Sequence, residues 1–329
     1  MTRGDDMHDP SRRALLAAAA TLAATPGAWA QAFPTRPLRF IAANPPGGLT
    51  DSVSRVLGPR LQAALGQPVV VDNRPGANGA VAGSALVSAP ADGYSYVVAD
   101  GSMLTVTPLL TPRLGFDPQK DFAPVSLIGQ APLFLVVSPK LGVNSLDELV
   151  ALAKRQPGKL NYGSSGLGST HHLTMEALKG ALGLYITHIP FKGSSASVPA
   201  LLGGEVDMVF SAYPSVAGLI KSGQVKPIAV NSAKRWVQEP NVPAIAETIP
   251  GFDFAPNVIL LARAGTPADA IQRVSSEIAA IAKQQDAIDA MRNLGVQLIG
   301  GSPSVLAAAL QKETVQMREA AAKANLKAE

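Results

Sequence analysis

The residues best suited to chemistry in this chain lie in two glycine-rich stretches that contain no lysine or arginine. One is Asn44-Pro45-Pro46-Gly47-Gly48-Leu49-Thr50-Asp51; the other is Gly163-Ser164-Ser165-Gly166-Leu167-Gly168-Ser169-Thr170. Each follows a strand-like apolar run and opens a helical one. A helix start leaves its first backbone N–H groups unpaired and carries the positive end of the macrodipole, so it favours an anion. Two such starts facing each other across a cleft suit a small anion, with the hydroxyls of Thr50, Ser164, Ser165, Ser169 and Thr170 as further donors. A charge-assisted hydrogen bond contributes roughly 1.5–3 kcal/mol. Micromolar binding requires about 8 kcal/mol. One loop falls short of that after ordering costs, whereas two converging loops reach it. Taken singly, either loop also reads as an ordinary βα turn.

The candidate ligand-binding set is therefore Pro46, Gly47, Gly48, Thr50, Asp51, Ser164, Ser165, Gly166, Gly168, Ser169 and Thr170, joined by Lys192 and Asp207. At Gly48 any side chain would fill the anion's approach. Asp51 falls in a first helical turn, where it either bonds loop N–H groups or meets an ammonium or hydroxyl of the ligand. Lys192 adds positive charge at the cleft rim or is a solvated loop lysine. Asp207, like Asp100, stands near a strand end, as an acceptor within its own lobe or a ligand contact.

Catalytic alternatives fail on their spacing. Gly163-Ser164-Ser165-Gly166-Leu167 lacks the last glycine of a nucleophile elbow. Gly166-Leu167-Gly168 is followed by Ser169, Thr170 and His171, which breaks the dinucleotide pattern, and no P-loop is present. A serine hydrolase built on Ser164 or Ser165 with a histidine is the residual enzymatic reading. Only four histidines occur, and His172 with Glu176 is too few ligands for a metal. His171 either packs at a helix start or lines the cleft. There is no cysteine, which excludes disulfides and thiolate sites. No catalytic residue, cofactor or metal is expected.

The elements that position these loops alternate. Strands are expected over 37–43, 69–72, 94–99, 133–137, 160–162, 186–190, 206–210, 226–231 and 258–262, with helices over 50–65, 77–88, 145–155, 171–181, 197–202 and 214–221. Pro59 reads as a kink, and Ser145-Leu146-Asp147-Glu148 as a capping box. Thr266-Pro267 and Ser302-Pro303 read as N-cap hydroxyls followed by proline. The alternation predicts an α/β fold with a largely parallel sheet in each of two lobes. The Pro-rich stretch 239–256 reads as the return crossing between them.

The first 32 residues stand apart. Ser11-Arg12-Arg13, the apolar run from Ala14 to Ala24, and Ala28-Trp29-Ala30-Gln31-Ala32 are the parts of a cleaved secretory signal, ending after Ala30 or Ala32. The twin arginine also fits the twin-arginine export route. The apolar run is too short to span a bilayer, for which ~20 residues are needed. Three arginines leave with three aspartates, so the net charge stays at +4, with no basic cluster for nucleic acid. The roughly 300 residues left suit two lobes.

The ordered motifs resemble the extracytoplasmic solute receptors of tripartite tricarboxylate transporters, the Bug family. They include Pro45-Pro46-Gly47-Gly48 with Asp51, Val71-Asp72-Asn73-Arg74-Pro75-Gly76-Ala77-Asn78-Gly79, Asp92-Gly93-Tyr94 and Lys120-Asp121-Phe122-Ala123-Pro124-Val125-Ser126. Further along come Pro157-Gly158-Lys159-Leu160-Asn161-Tyr162-Gly163-Ser164-Ser165-Gly166, Phe191-Lys192-Gly193 and Ala264-Gly265-Thr266-Pro267. The resemblance covers essentially the whole mature chain. It implies a type II periplasmic-binding fold without catalysis, with lobe 1 from 33–130 and 256–329 and lobe 2 from 131–255. It implies a periplasmic monomer that passes a carboxylate (a dicarboxylate or tricarboxylate, an acidic amino acid or an aromatic acid) to membrane subunits. A co-receptor for a sensor kinase and a receptor for a neutral ligand remain as alternatives. Ala43-Asn44 and the stretch 253–257 depart from the family pattern, and both bear on the distal, specificity-setting end of the pocket.

Overall fold

The computed structural model describes residues 33–111, 113–324 and 326. The N-terminal stretch read as an export signal, with its arginines and both cleavage frames, lies outside the described residues. No helix among the described residues is long and apolar enough to cross a membrane.

The apolar segments pair into two sheets. Strands β1 (Leu38–Ala42), β2 (Val69–Asn73), β3 (Ser95–Asp100) and β4 (Phe122–Gln130) open the chain. The next five, β5 (Leu133–Val137), β6 (Asn161–Ser164), β7 (Thr187–Pro190), β8 (Met208–Ala212) and β9 (Lys226–Val230), form the second sheet in the order β7-β6-β8-β5-β9. Strands β10 (Asn257–Arg263) and β11 (Gln297–Gly301) return to complete the first, in the order β11-β4-β10-β3-β1-β2.

Helices cover both faces of each sheet. The first lobe has α1 (Leu49–Leu65), α2 (Ala80–Val87) and the short α3 (Ser102–Thr105) and α4 (Thr107–Leu110). The second has α5 (Leu146–Arg155), α6 (Thr170–Leu182), α7 (Ser194–Gly203) and α8 (Tyr213–Lys221). The chain ends with α9 (Ala268–Ile281), α10 (Gln285–Asn293) and α11 (Pro303–Lys323). Strand periodicity explains the double cover. Leu133, Leu135 and Val137 of β5 enter the core beneath α5 and α6, while Phe134 and Val136 enter the one beneath α7 and α8. In β1, Leu38 and Phe40 meet Val53, Leu57, Leu61 and Leu65 of α1, and Ile41 meets Ala82 and Leu86 of α2.

Several local expectations needed revision. The sheets are mixed rather than largely parallel. β1, β2 and β3 are mutually parallel, as are β6, β7 and β8, but β10 runs against β3 and β4, and β5 against β8 and β9. β11 also runs against β4. β5 and β10 are the strands by which the chain enters a lobe, so no βα crossover sets their direction, and β11 follows β10 through α9 and α10. β4 and β11 lay outside the expected strands; Pro124 blurs the alternation in β4, and the ladder to β10 shifts register beside it. Pro59 does not divide α1, which continues through it. The helix expected from Ala77 begins at Ala80, because Ala77 and Asn78 adopt positive φ. Ser145 caps Glu148 N–H, but the Glu148 carboxylate turns to Asn144 N–H, so only half of the box forms. Ser302 caps α11, whereas Thr266 leaves α9 without a side-chain cap.

Two short crossings join the lobes, and Asn231 clasps them. Its backbone and side chain bond Leu133, where one crossing enters β5, and Phe254 on the other, over 2.7–3.0 Å, with Asn231 fully buried. The Pro-rich stretch itself packs on the second lobe through Val242, Ala244, Ile245 and Phe252; the crossing proper is 254–256. Helix α11 straps both lobes: Leu306 lies in the core of the first, while Met317, Ala320 and Ala321 join that of the second.

Candidate functional site

Both glycine loops line one cavity of about 360 Å³ between the lobes. The parallel strands explain its position. β1 and β3 end toward it from one side, β6, β7 and β8 from the other, and the carboxyl ends of parallel strands are where α/β folds place ligands. The N-termini of α1, α6 and α7 reach it through Gly48–Thr50, Ser169–His171 and Ser194. Among the described residues no lysine or arginine lines it, so the positive potential comes from helix ends alone.

The first loop is a closed clasp. Asn44 N–H donates to Thr50 Oγ1 and Thr50 N–H to Asn44 Oδ1, both at 3.0 Å. Gly48 N–H donates to Pro45 O at 2.9 Å. Gly47 N–H donates to Asp51 Oδ2 at 2.9 Å. Among the described residues Leu49 N–H finds no acceptor, and the Thr50 hydroxyl hydrogen is likewise free to donate. Most of the N–H groups expected to greet a ligand are thus used inside the loop, which holds the remainder in place.

Asp51 is the pin of that clasp. Its side chain is 2% exposed and bonds Arg55, Gly47 N–H and Asn73 Nδ2. The Arg55 guanidinium, with those donors, holds its carboxyl down at about 2. Depression of a carboxyl pKa stabilises the fold above the ordinary carboxylate value and loses that stability as pH falls toward the folded value. Asp51→Ala is expected to cost about 3 kcal/mol at neutral pH. In urea titrations the gap between the two proteins should close as pH falls from about 4 to about 2. A gap of the same size at pH 2 and pH 7 would rule out this account.

The second loop is organised by histidines. Ser164 is fully buried; its hydroxyl takes Gly166 N–H and meets His188 Nε2 at 2.7 Å. Ser169 caps α6 by accepting His172 N–H at 3.2 Å, and Gly168 N–H donates to His172 Nδ1 at 3.0 Å. His172 stacks on His188 at 3.9 Å, and Tyr162 stacks beyond at 4.8 Å. His171 enters the cavity between Ser165 Oγ (2.8 Å from Nδ1) and Ser194 Oγ (3.4 Å from Nε2). Burial brings all three histidines down to about 4, so each is neutral at pH 7. The Thr170 and His171 N–H groups at the start of α6 have no acceptor among the described residues.

The structure gathers part of the expected set. Gly48, Thr50, Ser165, Ser169 and Thr170 line the main cavity, and Gly166 and Gly168 line a recess of about 390 Å³ at its mouth. There the lobes touch: a methyl group added at Gly168 would lie 2.0 Å from Leu110 Cδ1. Pro46, Gly47 and Lys192 are exposed and line neither. Asp51 and Ser164 support the loops from within. Asp207 accepts Asn161 N–H at 2.7 Å inside the second lobe, away from both cavities. Residues outside the candidate set also line the cavity: Asn44, Asn78, Asp100, Ser102, Ser194 and Pro256, of which the sequence marks Asp100 only by its place near a strand end. Positions past strand ends were the one signal that could have found them.

The Ser165–His171 pair does not make a hydrolase. Among the described residues no carboxylate lies on the second ring nitrogen, which faces Ser194. A histidine at about 4 is also a weak base at neutral pH. Among the described residues no group of three His, Cys, Asp or Glu could hold a metal, and His172 Nε2 stands 4.0 Å from Glu176.

Comparison with known proteins places the chain. Residues 53–326 match the family described as tripartite tricarboxylate transporter family receptor. BugT of Bordetella pertussis is 36% identical over 300 residues, covering 89% of this chain and 92% of BugT. The solved structure of R. palustris Rpa4515 with adipate matches with a TM-score of 0.79 at 32% identity, over 90% of this chain and 100% of that one. MatC from Rhodopseudomonas palustris with bound malate matches at 0.72 and 27%, over 88% and 99%. With its two α/β lobes and the cleft between them, this chain belongs to the tripartite tricarboxylate transporter receptor family, whose members are solute-binding receptors and not enzymes.

Proposed function

We propose that this protein is a periplasmic receptor that captures a small carboxylate in the interlobe cavity and presents it to the membrane subunits of a tripartite tricarboxylate-type transporter. The observation that carries the proposal is the convergence of three helix N-termini from two lobes on one cavity lined, among the described residues, by no lysine or arginine. Such a site holds an anion by oriented N–H groups and hydroxyls, without the strong electrostatic grip that would slow release. The carboxylate lies against Leu49 N–H and the Thr50 hydroxyl on one side and Ser165, Ser169, Thr170 and His171 N–H on the other. Adipate and malate in the two related structures belong to the same chemical class. The N-terminal signal pattern supports export.

Capture follows from the two crossings. The lobes, 33–130 with 256–329 and 131–255, turn about the Asn231 clasp and close over the ligand, a hinge movement. α11 bridges both lobes and limits the opening.

The first test is native mass spectrometry of the mature protein followed by mild denaturation, then a thermal-shift panel of carboxylates. A released or stabilising small carboxylate is the expected result. At a ligand concentration of 100 times Kd the stabilisation should be about 2.7 kcal/mol. A protein that purifies empty and responds to no carboxylate would refute the proposal.

A further inference from the structure

The cavity favours anions everywhere except at one point. β1 pairs on β3 with Ala42 opposite Val98, so Asn44, just past β1, and Asp100, the last residue of β3, stand side by side at the strand ends. Asp100 lines both the main cavity and an adjoining recess of about 180 Å³. One of its oxygens accepts Ser102 N–H at 2.7 Å. Among the described residues no lysine, arginine or histidine lies within 4.0 Å of its carboxylate.

Its neighbour makes the charge harder to accommodate. Glu313 of α11 is buried beside the same turn, held by Asn257 Nδ2 at 2.6 Å and Thr105 Oγ1 at 3.0 Å. Gly101 leaves room for it: a methyl group there would lie 2.3 Å from a Glu313 oxygen. Burial, then the Asp100 charge, push Glu313 up to about 8, so it keeps its proton at neutral pH. Burial raises Asp100 as well. Asp100 therefore presents its carboxyl group to the cavity with, among the described residues, no cationic side chain within ion-pair reach.

We propose that the captured molecule is zwitterionic, with its carboxylate at the helix N-termini and an ammonium group on Asp100. This rests on the carboxylate reading above and narrows it to amino-bearing acids. A dicarboxylate would press a second anion toward Asp100, whereas an ammonium supplies the missing cation. Asn78 Oδ1, whose contact with the Ser102 hydroxyl is long at 3.4 Å, is a second acceptor for it.

The test is isothermal titration of the mature protein at pH 7 with carboxylates paired with their amino analogues: succinate with aspartate, glutarate with glutamate, phenylacetate with phenylglycine. In any pair that binds, the amino member should bind at least about tenfold tighter, the effect of one charge-assisted hydrogen bond. Asp100→Asn keeps an acceptor for Ser102 N–H and should erase the preference while leaving the plain carboxylate's affinity equal or higher. Equal or weaker binding of the amino member to the wild-type protein overturns the inference, whether or not the variant folds. So does a preference that persists in Asp100→Asn. Binding by none of the panel, with no carboxylate released from the native protein, overturns the carboxylate reading and this inference with it.

Discussion

Gly48→Val is expected to abolish ligand binding, by about a hundredfold or more, in a protein that still folds. The loss corresponds to about 3 kcal/mol, the share of one or two charge-assisted hydrogen bonds. The sequence pointed to Gly48 because a side chain would fill the anion's approach; the structure gives a different reason. A β-carbon at Gly48 would lie 2.5 Å from Asn44 Cβ and 3.0 Å from Pro45 O, neither of which a rotamer change can move. The loop must open, and the reciprocal Asn44–Thr50 bonds break with it. Leu49 N–H and the Thr50 hydroxyl then lose their aim. The fold survives because α1 is anchored by Val53, Leu57, Leu61 and Leu65, which lie in the core of the first lobe. Gly47→Ala is the control. Its β-carbon meets nothing within 4 Å, so it carries only the cost of a positive φ, about 1–2 kcal/mol in stability, and should bind nearly normally. Titration of both variants against the ligand found by native mass spectrometry decides the matter. Wild-type affinity in Gly48→Val would remove the first loop from the site.

The second large effect is a loss of stability on mild acidification, well above the carboxylate range. His171, His172 and His188 sit at about 4 in the fold, against an ordinary histidine value near 6.5. Between those values the unfolded chain binds more protons than the folded one, so stability is complete above about pH 6.5 and falls as pH drops toward 4. At full protonation each of the three histidines costs about 3 kcal/mol. The stacked pair at 3.9 Å adds repulsion once both rings charge. Protonation at His172 Nδ1 also ends its acceptance of Gly168 N–H, so the second glycine loop loosens in the same pH range. Melting temperatures should decline steadily from pH 6.5 to 4.5. His188→Gln should flatten that decline by about a third. A melting temperature constant from pH 6.5 to 4.5 would show that the rings are solvated.

The chain by itself determined most of the elements and both loops. Two sheets covered by helices follow from alternating apolar runs such as Leu133–Val137, whose odd and even residues enter separate cores. The glycine loops were legible because a helix start next to glycine has one physical consequence, free N–H groups, wherever it occurs. Strand direction was not legible. Local periodicity is identical for parallel and antiparallel neighbours, and the reversals at β5 and β10 arise from how the chain crosses between lobes. β4 was hidden by Pro124, whose missing donor is accommodated by a register shift that only the pairing reveals. The division of labour within the site was also tertiary. Asp51 and Ser164 carry the residue types of ligand contacts, yet they face inward, because Arg55, Asn73 and His188 occupy their polar atoms. Asn44, Asn78, Asp100 and Ser194 come from four segments far apart in the chain and meet at one cavity only when the strand ends align. A motif reports what a segment does to itself, while the chemistry of a wall depends on which segments share it.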